Sequence, residues 1–179
     1  MRIHITLLTL LLLLGCAQSG LTPRDPSNPY YAPPAGSRIE LKRPISVPAG
    51  VTRVFLQRGK LVQGMRFDRY VPSCNFEVRE LSERPQTIEP ETFLVVRVQR
   101  EEAEVVTRPG PPVRVASSAQ DGGLPMVTES IHLWLGSSQQ PNLMRLTCRG
   151  AFDDVWRAYP PSIDEMRTAL GDYAGIVLP

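Results

Sequence analysis

The chain has 179 residues, 42% of them hydrophobic, which is enough for one domain with a packed core. Its 20 Lys and Arg nearly cancel 18 Asp and Glu, and the basic residues, mostly Arg with Lys42 and Lys60 the only lysines, are scattered. That excludes the basic field of a nucleic-acid binder and an acidic field for cations, and 18 prolines argue against long helices.

Residues 1–16 run Met1-Arg2, then an apolar stretch from Ile3 to Leu14 broken by His4, Thr6 and Thr9, then Gly15-Cys16. A positive start, a short apolar core and a small residue before the cut form the plan of an export signal. About twelve helical residues cover roughly 18 Å, short of a hydrocarbon core of about 30 Å, so a permanent span is not expected. The sequence Leu13-Leu14-Gly15-Cys16 resembles the lipobox of bacterial lipoproteins. The resemblance implies removal of residues 1–15, a diacylglyceryl thioether on Cys16 and acylation of its new amino group. The alternative is an ordinary signal peptide with an incidental cysteine. In that family an Asp after the cysteine favours inner-membrane retention, so Ala17 implies an outer-membrane lipid anchor and a domain facing the periplasm. Two or more acyl chains make such an anchor stable.

Residues 16–37, the lipidated Cys16 and then "AQSGLTPRDPSNPYYAPPAGS", show neither helical nor strand periodicity and read as a Pro/Ser-rich tether. Tyr30-Tyr31 is its only aromatic content, solvated or else docked on the domain or on a partner. From residue 38 to 179 the pattern is β. Ile39, Leu41, Ile45 and Val47 alternate with polar positions, interrupted at Arg43-Pro44, which suggests an edge strand or bulge. Val54–Leu56 is a short strand. Cys74, Phe76 and Val78 alternate cleanly with Asn75, Glu77 and Arg79. Phe93–Val98 is a near-continuous apolar run, as in a central strand. Val105-Val106 and Val113–Val115 flank a Pro-Gly turn, and Asp121-Gly122-Gly123 marks another. Ile131, Leu133 and Leu135 share one strand face; Met144, Leu146 and Cys148 share another after the loop "GSSQQPN". About seven or eight strands at short spacing predict an antiparallel β-sandwich or small barrel. One short C-terminal α-helix is expected: Ser162 and Glu165 match a capping box, Ile163, Met166, Ala169 and Leu170 share a face, and Gly171 is placed to stop it. The closing "AGIVLP" reads as an extended docked tail.

Cys74 and Cys148 both fall on apolar strand faces. With Cys16 assigned to lipid the count is even, and an oxidising compartment permits a Cys74–Cys148 bridge; two buried free thiols are the alternative. No close Cys/His spacing builds a metal site, and no cofactor beyond the covalent lipid is expected.

No residue is assigned a catalytic role. His132 is the single histidine of the mature chain and reads as a surface or rim residue; Ser130, Ser137 and Ser138 are the local nucleophiles a hydrolytic triad would need, but no G-x-S-x-G elbow is present. Asp153-Asp154 reads as a turn and Asp164-Glu165 as helix-dipole partners. Two segments combine aromatics with Arg, the residues that anchor interfaces: Phe67, Arg69 and Tyr70 before the Cys74 strand, and Phe152, Trp156 and Tyr159 after the Cys148 strand. A bridge between the cysteines would bring both to one end of the domain, as a partner surface or as a seal over the open end of the core. Further, "CNFEV", "IEPETFLVV" and "LTCRG" within residues 50–150 resemble small proteobacterial lipoproteins of unknown function, a resemblance that implies no activity. The expected function is a non-enzymatic, outer-membrane-anchored lipoprotein that binds an envelope protein partner or supports an envelope assembly. The alternatives are a binding domain holding a lipid or apolar ligand inside the barrel and, third, an envelope hydrolase.

Overall fold

The computed structural model describes residues 24–104 and 126–179. The signal stretch, Cys16, the linker to residue 23, the valine pairs around the Pro-Gly turn and Asp121-Gly122-Gly123 lie outside the described residues.

The described chain is mainly β with one short C-terminal helix. Its strands are β1 (Arg38–Leu41), β2 (Ile45–Val47), β3 (Arg53–Gln57), β4 (Lys60–Val62), β5 (Ser73–Val78), β6 (Gln86–Ile88), β7 (Thr92–Glu104), β8 (Met126–Gly136), β9 (Leu143–Arg149), β10 (Asp153–Asp154) and β11 (Ala174–Val177), with α1 spanning Ile163–Leu170. Eight strands form one antiparallel sheet in the order β11-β1-β7-β8-β9-β5-β3-β4, curled into a half-barrel. β10 pairs with β8 at Met126 and Val127, beyond the point where β9 ends. β2 and β6 form a separate pair, Ile45 opposite Ile88. The run expected as one interrupted strand is therefore two strands in two sheets. Pro44 brings no N–H to a ladder, and the chain changes sheet there.

One face of the large sheet is apolar. Val54 and Leu56 of β3, Cys74 and Phe76 of β5, Leu146 and Cys148 of β9, Ile131 and Leu133 of β8, and Phe93 and Val95 of β7 are buried together with β2–β6. Full burial of each large side chain contributes about 1.5–3 kcal/mol, so this face is the main source of stability. Leu94 and Val96, part of the apolar run, are instead exposed: Leu94 alternates outward between the buried Phe93 and Val95, and Val96 is the extra residue where β7 bulges between Val95 and Arg97. The bulge resets the alternation, so that Val95 stays in the core and Arg97 lands opposite Trp134.

Cys74 and Cys148 sit directly opposite one another on β5 and β9, with Cα atoms 4.0 Å apart, and are joined by a disulfide inside the core. α1 packs Ile163, Met166, Ala169 and Leu170 over the same core. Its capping box is complete: Glu165 N–H donates to Ser162 Oγ (3.2 Å) and Ser162 N–H to Glu165 Oε2 (2.8 Å). An eight-residue helix is not stable alone, so cap and apolar face together hold it. Gly171 ends it with φ +55°, and a Cβ there would lie 2.4 Å from Gly59 Cα in the β3–β4 turn. The Gly59 N–H also donates to Ala169 O (3.0 Å). Two glycines thus let the hairpin turn and the helix end touch through bare backbone.

Residues 24–37 lie against this body rather than free in solvent. Asp25 and Asn28 each open a turn, with Pro26 and Pro29 at the second position; Asn28 N–H donates to Asp25 O and Tyr31 N–H to Asn28 O, both at 3.0 Å. Tyr31 and Ala32 pack on the core, Pro33 and Ser37 are buried, Asp164 N–H donates to Pro26 O, and Gly36 and Ser37 bond Val95. The expected tether is in this part an integral strap, drawn in by Tyr31 and by the strand ladder that Val95 leaves open.

Candidate functional site

The two aromatic segments converge. Phe152 N–H donates to Arg69 O (3.0 Å), joining the run before β5 to the run after β9. The disulfide fixes where those strands meet, and this contact fixes the loops that leave them. Phe67 turns inward, edge-on to Phe55 with ring centres 5.2 Å apart, and Gln57 Nε2 donates to the carbonyls of Asp68 and Val71. In the second run, Asp153 Oδ1 accepts from Asp154 N–H, and Arg157 and Ala158 N–H close a turn on Asp154 O. Asp153-Asp154 is therefore a short strand, which was not expected, that leads into the expected turn. Tyr159 O lies so close to Gly150 that a Cβ there would be 2.2 Å away, so the return of the chain requires glycine. Phe67 and Phe152 are half-buried, whereas Arg69 is exposed, as are Tyr70 (61%), Trp156 (63%) and Tyr159. The two runs thus meet at Arg69 and Phe152 to make a lip, with two of the expected rings half-buried and three exposed.

Beside the lip lies the second face of the large sheet, which sequence periodicity had marked only as polar. Cross-strand register aligns its side chains in rows. Arg97, Trp134, Arg145, Glu77 and Arg53 stand in line across β7, β8, β9, β5 and β3. Glu77 accepts from Arg53 (2.8 Å) and Arg145 (2.6 Å). The guanidinium carbons of Arg97 and Arg145 lie 4.1 and 5.2 Å from the Trp134 ring centre, a cation–π ladder. Burial alone raises the Glu77 pKa, but the hydrogen bonds and charges of Arg53 and Arg145 outweigh it and hold the carboxyl below its ordinary value.

The next row carries His132, only 3% exposed, which corrects its placement as a surface or rim residue. β8 runs between β7 and β9, so both flanks of the ring are covered. Burial is the largest influence on its pKa and lowers it; the Glu101 hydrogen bond raises it, Arg145 and Arg149 oppose that, and the net shift is downward. A neutral ring then donates from Nε2 to Glu101 Oε2 (2.5 Å) and accepts at Nδ1 from the Thr147 hydroxyl (2.8 Å). The order hydroxyl–imidazole–carboxylate resembles a nucleophile relay, but Thr147 is buried mid-sheet between two paired strands. Ser137 Oγ donates to Glu91, away from His132.

The third row is Ser130, Arg149 and Ser73. Arg149 is half-buried, and its Nε has no hydrogen-bond partner; the same holds for the buried Trp134 Nε1 and Asn75 Oδ1 on this face. Among the described residues no group of three or more His, Cys, Asp or Glu is placed to hold a metal, and no helix is long and apolar enough to cross a membrane.

Comparison with family models, with curated proteins and with solved structures returns no match. The functional reading therefore rests on this chain's own residues.

Proposed function

We propose that the chain is an outer-membrane lipoprotein, anchored through Cys16, whose stapled β domain acts without catalysis by binding an envelope protein partner at the lip formed by Phe67, Arg69, Tyr70, Phe152, Trp156 and Tyr159. The observation that carries the reading is the junction of Phe152 with Arg69, which ties together two runs whose Tyr70, Val155, Trp156 and Tyr159 are all exposed. Exposed Trp and Tyr on a fixed backbone are what a binding hot spot uses, since little side-chain entropy is lost on docking. The disulfide is compatible with an oxidising compartment. The filled interior, with Phe76, Phe93, Ile131 and Leu133 fully buried, favours this reading over a barrel that holds an apolar ligand. The sealed position of Thr147 favours it over a hydrolase.

The test is a photo-crosslinking amino acid placed at position 156 or 70 in living cells, compared with position 81, where Leu81 is exposed away from the lip in sequence. Discrete adducts from 156 and 70 but not from 81 are expected. The same adduct pattern from all three positions, or none from the lip, would overturn the reading. The anchor is tested separately: Cys16→Ser should abolish acylation and cleavage before residue 16, and a wild-type mature N-terminus elsewhere would refute it.

A further inference from the structure

The polar sheet face beside the lip carries a charge that the fold does not answer. Arg149 is half-buried with its Nε unpartnered, and among the described residues no carboxylate lies within 4 Å of its guanidinium. The other arginines of that face are engaged: Arg53 and Arg145 share Glu77, and Arg97 covers Trp134. The remaining carboxylate, Glu101, is bound to His132. Burial pushes the Arg149 pKa below its usual range and Arg53 adds to that; Glu101 and Glu77, too far for an ion pair, offset this only in part. A guanidinium left without a counter-ion in a half-buried position is a standing penalty that an incoming anion relieves.

The position of Arg149 gives the site its shape. Ser130 and Ser73, both buried, are its register partners on the two neighbouring strands. Arg149 is the last residue of β9 before the second lip segment, and Ser73 opens β5 directly after the first. We propose that Arg149, flanked by Ser73 and Ser130, is the docking point for a side-chain carboxylate on an acidic peptide segment of the partner, held while that segment's apolar part covers the lip.

One observation favours a single carboxylate over a phosphate. Glu101 stands across Ser130 from Arg149, so a dianion would meet a carboxylate there, whereas a single carboxylate matches one guanidinium fork.

This inference rests on the lip as the partner surface, and its test separates the two. The purified full-length protein is titrated with a library of blocked heptapeptides carrying a central Glu beside aromatic or aliphatic residues, with the same library carrying Gln, and with inorganic phosphate. The readouts are the Arg149 Nε–H resonance and the affinity. We expect Glu peptides to shift that resonance and bind at least ~10-fold more tightly than their Gln counterparts. Arg149→Lys should lose about the same factor, since an ammonium lacks the fork. Arg149→Met should leave Tm unchanged or raise it by about 3 °C, because it removes an unanswered charge. Equal binding of Glu and Gln peptides, no binding in either library, a response to phosphate alone, or a marked fall in Tm for Arg149→Met would each overturn the proposal. Crosslinks from position 156 that persist in Arg149→Met would remove the carboxylate site and leave the lip standing. Glu-selective binding without those crosslinks would remove the lip and leave the site.

Discussion

The two faces of the large sheet are built from the same strands but closed in opposite ways. On the apolar face every large side chain finds neighbours: Phe76, Phe93, Ile131 and Leu146 are sealed, and a disulfide joins the middle strands. On the polar face the strands supply four arginines, a tryptophan and a histidine, of which Glu77 and Glu101 satisfy only some, and three buried polar atoms have no partner. Hydrophobic contacts are non-directional and forgive small misfits, whereas a hydrogen-bonding group is either met or left wanting. One face is thus where the fold gains its stability, and the other is where it keeps unspent binding capacity.

The largest effect should come from the apolar face. Replacing both cysteines, Cys74→Ala with Cys148→Ala, removes a staple across 74 residues of sequence separation, and denaturant unfolding should show a loss of about 4 kcal/mol on the chain-entropy account. A loss under about 1 kcal/mol would mean that the staple does little for the unfolded chain. On the polar face, Glu77→Gln leaves Arg53 and Arg145 without their shared anion, and the same measurement should show about 2 kcal/mol. The Glu77 folded pKa is lowered, so its contribution is complete above the unfolded pKa and disappears as pH falls through the folded one; the Gln variant should show a flatter acid limb. The smallest effect is that of His132. Its folded pKa also lies below the ordinary value of 6.5, so the folded state resists protonation. Stability should therefore hold above about pH 6.5 and decline as pH falls from there toward the folded pKa. Thermal melts of His132→Gln should lose that decline, and an unchanged pH profile in the variant would show that His132 does not cause it.

The apolar face was legible because its signal is local. Alternation at Cys74–Val78 and at Leu146–Cys148 reports which residues point together without knowledge of which strands pair, whereas Met144, expected on that face, gives way to Leu143 where the β5–β9 register shifts. The helix was legible for a similar reason: Ser162 and Glu165 are three apart and cap one another. The shared location of Cys74 and Cys148 followed from parity and count. The rows Arg97-Trp134-Arg145-Glu77-Arg53 and Ser130-Arg149-Ser73 were not legible. They exist only once five strands distant in sequence are set in register, and the bulge at Val96 shifts that register by one. His132 was misplaced for the same reason, since a polar strand position is exposed or buried according to its neighbours. β4, β6 and β10 were missed because two or three residues carry no period. Residues 24–37 looked like a tether because proline-rich turns have no periodicity whether they float or dock. Tyr30-Tyr31 was the one hint of docking, and Tyr31 does pack on the core.

The strap formed by residues 24–37 also sets a distance. Had the chain been free from Cys16 to Arg38, its fully stretched length would be about 79 Å. The strap first bonds the body at Pro26, whose carbonyl accepts from Asp164 N–H, and ten residue steps separate Pro26 from the proposed anchor, a reach of at most about 36 Å. Anchored at Cys16 as proposed, a domain with so short a reach would sweep a shallow layer over the bilayer surface. Its partner would then be met within that layer, and lengthening the leash by inserted residues should weaken the encounter by dilution rather than by any change in the docking surface.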